Sequence, residues 1–199
     1  GIRDLWKPFP ERDALAAIPN VALVPLDVTD ERSVAEAAAD LGGKTDILVN
    51  TAGHVRPGGL AGQRLADLRD AIESDALGLA RLAAAFGPAM RGRGADGTNN
   101  AVAWVNCLSV YARVNWPAYG AWSASQAAAL SIAECLRAEL RPGGIRVVNV
   151  FAGPLETEWF QAVPPPKVAP AALAAAIRDA LERGLEDVYV GDVAKDIRD

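Results

Sequence analysis

Five side chains are weighed as candidates for chemistry: Ser109, Trp122, Gln126, Asp75 and His54. Ser109 ends a short apolar run, and Trp122 and Gln126 follow it at the start of a helical pattern. A serine hydroxyl donates and accepts hydrogen bonds, an indole N–H only donates, and a glutamine amide carries no charge. His54 is the only histidine, and as a general base beside Ser109 or Asp75 it would work near neutral pH. A lone loop histidine is more often polar surface. Asp75 is either a base or a residue that bonds backbone inside a helix, and the second reading is the favoured one. Trp122 and Trp159 could stack on an aromatic ligand or fill core, and Glu156 and Glu158 read as solvated. The two cysteines, Cys107 and Cys135, have neither CxxC nor metal-ligand spacing, so reduced core thiols and no metal are expected.

The elements that must position these groups follow from periodicity. Residues 101–109 form an apolar run rich in Val and Trp after the polar loop 91–100, which predicts a buried strand. Ala129, Ile132, Ala133, Leu136 and Leu140 recur at helical spacing and predict a helix over 122–140. Upstream, a short helix is expected at 12–18 and an apolar strand at 21–26. A helix at 31–41 follows, capped by Asp30 and stopped at Gly42 and Gly43. Then come a strand at 46–50 and a long helix at 65–90, weakened at Gly78 and Pro88. A strand at 144–151, a Pro-rich connection at 163–170, a helix at 171–183 and a strand at 187–190 complete the chain. Strands alternating with helices predict one α/β domain over 1–199, a Rossmann-like three-layer parallel sheet with helices on both faces.

Composition excludes other classes. The chain has 199 residues, 51% of them apolar, with a net charge of −5 and both signs mixed along its length. Neither a nucleic-acid footprint nor a membrane-surface patch is visible, and no apolar run approaches the ~20 residues of a membrane span. A cytoplasmic protein is expected. The chain begins at Gly1 and its only methionine is Met90, so an upstream segment is expected to have been cleaved or omitted.

Several of these stretches resemble the short-chain dehydrogenase/reductase family. Asp27, Val28, Thr29 and Asp30 are similar to the segment whose first Asp faces the adenine ring of the family's cofactor. Asn50, Thr51, Ala52 and Gly53 resemble the Asn-Asn-Ala-Gly that ends the next strand. Asp75 and Gly78 stand where the family has Asn-x-x-Gly, whose Asn kinks the long helix and holds a relay water. Gly153 and Pro154, with Thr157 beyond them, resemble the segment lining the nicotinamide. The resemblance covers about residues 20–191.

The departures concern chemistry. The family's general acid/base is a Tyr followed four residues on by a Lys, and these places hold Trp122 and Gln126. Of the four catalytic positions only Ser109 keeps its family residue, and no lysine stands between Lys44 and Lys167. Losing such an interdependent set typically costs about 10^3 to 10^6 in rate. The glycine-rich turn that binds pyrophosphate has no counterpart, and Gly58, Gly59 and Gly62 lie in the wrong place for it. The resemblance implies a fold lacking its first strand, first helix and most of its second strand. The family's sheet order would then part strand 21–26 from strand 46–50 by two strands. An upstream segment fills that gap, the two strands pair directly, or a partner chain intervenes.

Three functions stay open. The leading one is binding of a small apolar ligand in the former active-site cleft, or a redox-neutral cyclisation, dehydration or isomerisation there, without hydride transfer. The others are an NAD(P)-dependent oxidoreductase with an atypical proton donor, and a non-catalytic dimerising subunit. No cofactor is expected for this chain unless the upstream segment exists, in which case NAD(P) would meet Asp27, Val28, Asn50, Ala52, Gly53, Pro154 and Thr157. The resemblance also implies a homodimer, or a dimer with an active homologue, through helices 65–90 and 122–140.

Overall fold

The computed structural model describes residues 1–7, 11–95 and 102–199. Four parallel strands, β1 (Ile47–Asn50), β2 (Ala103–Ser109), β3 (Arg146–Ala152) and β4 (Asp187–Val190), form one sheet in the order β1-β2-β3-β4. β2 and β3 pair along their whole length, from Ala103 opposite Arg146 to Ser109 opposite Ala152. Both are nearly continuous apolar runs buried on both faces, as an interior parallel strand requires. The start of the run expected at 101 and the loop segment 96–100 lie outside the described residues.

Side-chain alternation sends the strand residues to two cores. Trp104, Leu108, Val147 and Phe151 face one core with Leu79, Phe86, Met90, Ala133 and Leu140. Val105, Val148 and Val150 face the other, against Ala180 and Val190. After a short first helix, α1 (Arg12–Ala16), the first core lies under α2 (Glu31–Leu41), α4 (Gly78–Ala95), α5 (Gly120–Leu140) and α7 (Asp192–Arg198). The second lies under α6 (Pro170–Arg183). Asp30 caps α2 by accepting from the Arg32 N–H, and Gly144, at φ 71°, closes the turn after α5 in the left-handed region that favours glycine.

Three elements differ from the sequence expectation. Residues 21–26 make no strand: among the described residues their only pairing is a single parallel bridge between Ile2 and Pro25. Direct pairing of this stretch with β1 is therefore ruled out. Pro25 has no N–H to give a ladder, and an apolar run without a neighbouring strand stays irregular. The long helix is not continuous. Between α3 (Leu65–Ala71) and α4 it widens into a π-helical turn over Ile72–Leu77, which contains Asp75. Finally, the sequence gives no sign of α7.

β1 is left as an edge. Ile47 and Val49 are each 43% exposed, and a cleft of about 480 Å³ lies between β1 and the segments around Gly1, Arg3 and Leu26. Val28 closes against the start of α4, just after the π turn, where a Cβ on Gly78 would come within 2.7 Å of the Val28 Cγ2.

Candidate functional site

Ser109 stands at the carboxyl end of β2, where open α/β sheets bind ligands. Its Oγ accepts from the Tyr111 N–H at 3.1 Å and lies 3.5 Å from the Ala152 carbonyl, the outer limit of a hydrogen bond. Its backbone N–H donates to Oε1 of Gln126 at 2.8 Å. The other end of that amide, Nε2, donates to Oδ2 of Asp75 at 3.0 Å. Gln126 thus bridges the end of β2 to the π turn.

Asp75 is the hub of this network. The wide turn brings a 3%-exposed carboxylate within 2.6 Å of the Ser125 hydroxyl and 2.8 Å of the His54 N–H, besides Gln126. Three donors from two other segments converge on one side chain. An Asn in its place would turn an NH2 towards one of them, so a carboxyl group suits the site better. Burial raises the Asp75 carboxyl above its ordinary range, and the hydrogen bonds from Ser125, Gln126 and His54 oppose that rise. Ser125 also lies 2.9 Å from the Trp122 carbonyl. With Asp75 protonated, its O–H can donate to the Ser125 hydroxyl while that hydroxyl donates to the Trp122 carbonyl, so either protonation state fits the same heavy-atom positions.

Trp122 is buried in an aromatic cluster. Its ring centroid lies 5.2 Å from Phe160 and 6.1 Å from Tyr119, and Tyr119, Trp116 and Tyr111 stack in succession at 4.3 Å. Ser123 ties the start of α5 to the loop before it, donating to the Tyr111 carbonyl at 2.9 Å.

Ser109, Trp122, Gln126 and Thr157 line one cleft of about 230 Å³. Trp159 and Phe160 complete its aromatic wall, and none of the lining residues is an acid, a lysine, an arginine or a histidine. Cys107 also faces it, with burial pushing the thiol up to about 11, so it stays a neutral thiol. Sequence reasoning assigns Cys107 to the core and passes over Phe160; no signal in the sequence marks either as lining. Thr157 Oγ1 is buried without a hydrogen-bond partner among the described residues.

Asp75 and His54 do not line this cleft. Asp75 sits behind Gln126. His54 reaches the network through its backbone N–H, and its Nε2 is buried without a partner among the described residues.

The residues matched to a dinucleotide divide between clefts. Asp27, Val28 and Asn50 line the larger one beside β1, Thr157 the smaller one, and Pro154 a third recess beside Lys167, while Ala52 and Gly53 line both of the first two. The Asp27 carboxylate is turned onto its own loop, accepting from the Thr29 N–H at 2.9 Å and the Thr29 hydroxyl at 2.7 Å. Pyrophosphate needs converging N–H groups at a helix start or a cation cluster. The larger cleft is lined by no residue from a helix's first turn, and Arg3 is its single basic side chain among the described residues. The described residues therefore do not form a phosphate cradle.

Comparison with known proteins gives the lineage. A family profile described as enoyl-(acyl carrier protein) reductase matches residues 10–194. A short-chain dehydrogenase of Talaromyces islandicus is 32% identical over 148 residues, 72% of this chain and 50% of its own length. One from Penicillium crustosum is 33% identical over 158 residues, 74% of this chain and 53% of its own. The chain thus spans about half the length of the curated relatives it matches. Among solved structures, a short-chain dehydrogenase from Burkholderia cenocepacia in complex with NADP superposes with a TM-score of 0.83 at 36% identity. The match covers 91% of this chain and 73% of that one. A short-chain dehydrogenase from Streptomyces avermitilis gives 0.81 at 31% identity, covering 94% and 76%. With sequence profile, relatives and sheet in agreement, the chain belongs to the short-chain dehydrogenase/reductase family.

Proposed function

We propose that the chain binds a small apolar ligand in the cleft beside Ser109 and carries out no hydride transfer there. Any catalysis would be redox-neutral, a cyclisation, dehydration or isomerisation helped by positioning. One observation carries this reading. Gln126, in the place of the family's lysine, has both ends of its amide bound to Ser109 and Asp75, while Trp122 replaces the tyrosine inside an aromatic cluster. Neither side chain has a proton that ionises near neutral pH. What remains is a largely apolar cleft with hydroxyls from Thr51, Ser109 and Thr157 and a neutral thiol.

A thermal-shift screen of uncharged small molecules tests the proposal, with NADPH as a separate arm. Hits whose shift is lost in Ser109→Ala support it. Hits indifferent to Ser109→Ala, or stabilisation by NADPH alone, contradict it. The second outcome would favour an NAD(P)-dependent oxidoreductase with an atypical proton donor, a reading motivated by the NADP complex of the Burkholderia relative.

A homodimer accompanies the proposal. A groove between α4 and α5 is lined by the small residues Ala80, Ala83 and Ala84 and by Ile132. Small side chains let a second helix pair approach closely. A non-catalytic subunit docking on an active homologue would use the same faces.

A further inference from the structure

We infer that residues 54–63 form a strap that opens and closes as a unit over the aromatic side of the Ser109 cleft. The strap governs access, whatever ligand the cleft takes. It follows β1, runs through Pro57, Gly58 and Gly59, and returns at Arg64 to the start of α3. Its tip is fastened to the residues that lead into α5. The Gly58 N–H donates to the Ala118 carbonyl at 2.7 Å, and the Gly120 N–H donates to the Gly58 carbonyl at 3.0 Å. Glycine suits both places. Gly58 has φ 144°, which side chains disfavour, and a Cβ on Gly120 would stand 2.8 Å from Leu60 Cγ and 3.3 Å from the Leu60 backbone nitrogen. Beside this clasp Val55 packs against the buried rings of Tyr119 and Trp122, and it lines the cleft itself.

The fastening is slight for the surface it covers. Beyond the two clasp bonds, Arg56 pairs with the Asp67 carboxylate at 3.4 Å from a half-exposed position, and Leu60 is 57% exposed. Exposed ion pairs hold little. The closed strap also leaves two buried polar atoms without partners among the described residues, His54 Nε2 at one root and Gln63 Oε1 at the other. A buried polar atom without a partner favours a state that returns it to water. The roots themselves are held. The His54 N–H donates to Asp75 at 2.8 Å, and Arg64 donates twice to Asp67, at 2.9 and 3.3 Å. Between them the backbone has room to turn, since a Cβ on Gly62 would meet nothing within 4 Å. A segment held at its roots, lightly clasped at its tip and unsatisfied when shut opens locally, without unfolding the sheet. Opening lifts Val55 from the aromatic wall, so Trp122 and the cleft meet solvent together.

Amide hydrogen exchange followed by NMR tests the strap in the wild type. The Gly58 and Gly120 N–H groups should share one protection factor, about tenfold or more below those of Val105 in β2 and Val148 in β3, which open only on global unfolding. Gly120→Ala, which pushes Leu60 outward, should speed exchange at Gly58 by about five- to tenfold, the equivalent of roughly one lost hydrogen bond. Val105 and Val148 should not change. Gly58→Ala, strained at its φ, should act in the same way on the Gly120 N–H. Access is read with acrylamide, an uncharged quencher, in a chain carrying Trp6→Phe, Trp116→Phe and Trp159→Phe. Only Trp122 and the fully buried Trp104 then fluoresce as tryptophan. Adding Gly120→Ala should raise the quenching constant. Gly58 and Gly120 amides as protected as Val105, or with unrelated protection, overturn the strap as a unit. Faster exchange in Gly120→Ala with no gain in quenching overturns its control of the cleft. Neither readout uses a ligand, so a failed screen at Ser109 leaves the strap standing.

Discussion

Asp75 is the residue on which the site's geometry turns. Its carboxyl group receives Ser125, Gln126 and the His54 N–H, and through Gln126 it holds the end of β2. Because burial raises its pKa in the folded protein, the folded state holds this proton more tightly than the unfolded chain does. Its stabilising contribution is complete below the unfolded carboxylate value and is lost as pH rises through the folded value. The melting temperature of the wild type relative to Asp75→Asn should therefore fall as pH rises across the acid range. Asp75→Asn should also lower stability by about 1–3 kcal/mol, since one of three donors loses its acceptor. A melting-temperature difference that stays level with pH would remove Asp75 as a source of pH dependence. Trp122→Tyr combined with Gln126→Lys should not restore carbonyl reduction, because removing the Gln126 amide leaves the Ser109 N–H without its acceptor. The position of Asp75 was legible in the sequence, but its three donors were not. They depend on a π turn whose extra residue leaves no mark on hydrophobic periodicity.

At the scale of elements, burial decided what the sequence could reveal. β2, β3 and α5 matched their expected places closely, because interior strands and a buried helix face must be apolar along their length. Residues 21–26 are apolar too, yet a strand exists only where a neighbour completes its ladder, and no local pattern reports the neighbour. α7 escaped notice for the opposite reason: in seven residues it buries only Ala194. The contact between the start of α4 and the 26–28 segment gives a prediction at this scale. Gly78→Ala in an ordinary helix would gain about 1 kcal/mol. Here the new methyl meets Val28 at 2.7 Å, and Val28 is short and stiff at χ1. Overpacking of this kind costs about 1–3 kcal/mol, so the melting temperature should fall or at best stay level. A clear rise would mean that Val28 moves aside freely.

For the whole molecule, parallel strands with helices on both faces place every strand's carboxyl end along one edge, and that edge holds Gly53, Ser109 and Gly153 around one cleft. Among the described residues no helix is long and apolar enough to cross a membrane. The groove on α4 and α5 is expected to close against a second copy, burying more than about 1,200 Å². Ala84→Arg, at an exposed position of its lining, should convert the dimer to a monomer in sedimentation at micromolar concentration while leaving the fold intact. A wild-type chain that sediments as a monomer would contradict this. The most direct test of the central claim is nicotinamide turnover. The purified chain would be incubated with NADH or NADPH and a panel of ketones and aldehydes, and with NAD or NADP and the matching alcohols. With Gln126 bound at both ends and Trp122 in place of an ionisable donor, no oxidation or reduction above the protein-free rate is expected. Turnover of any panel member well above that rate, lost in Ser109→Ala, would contradict the account.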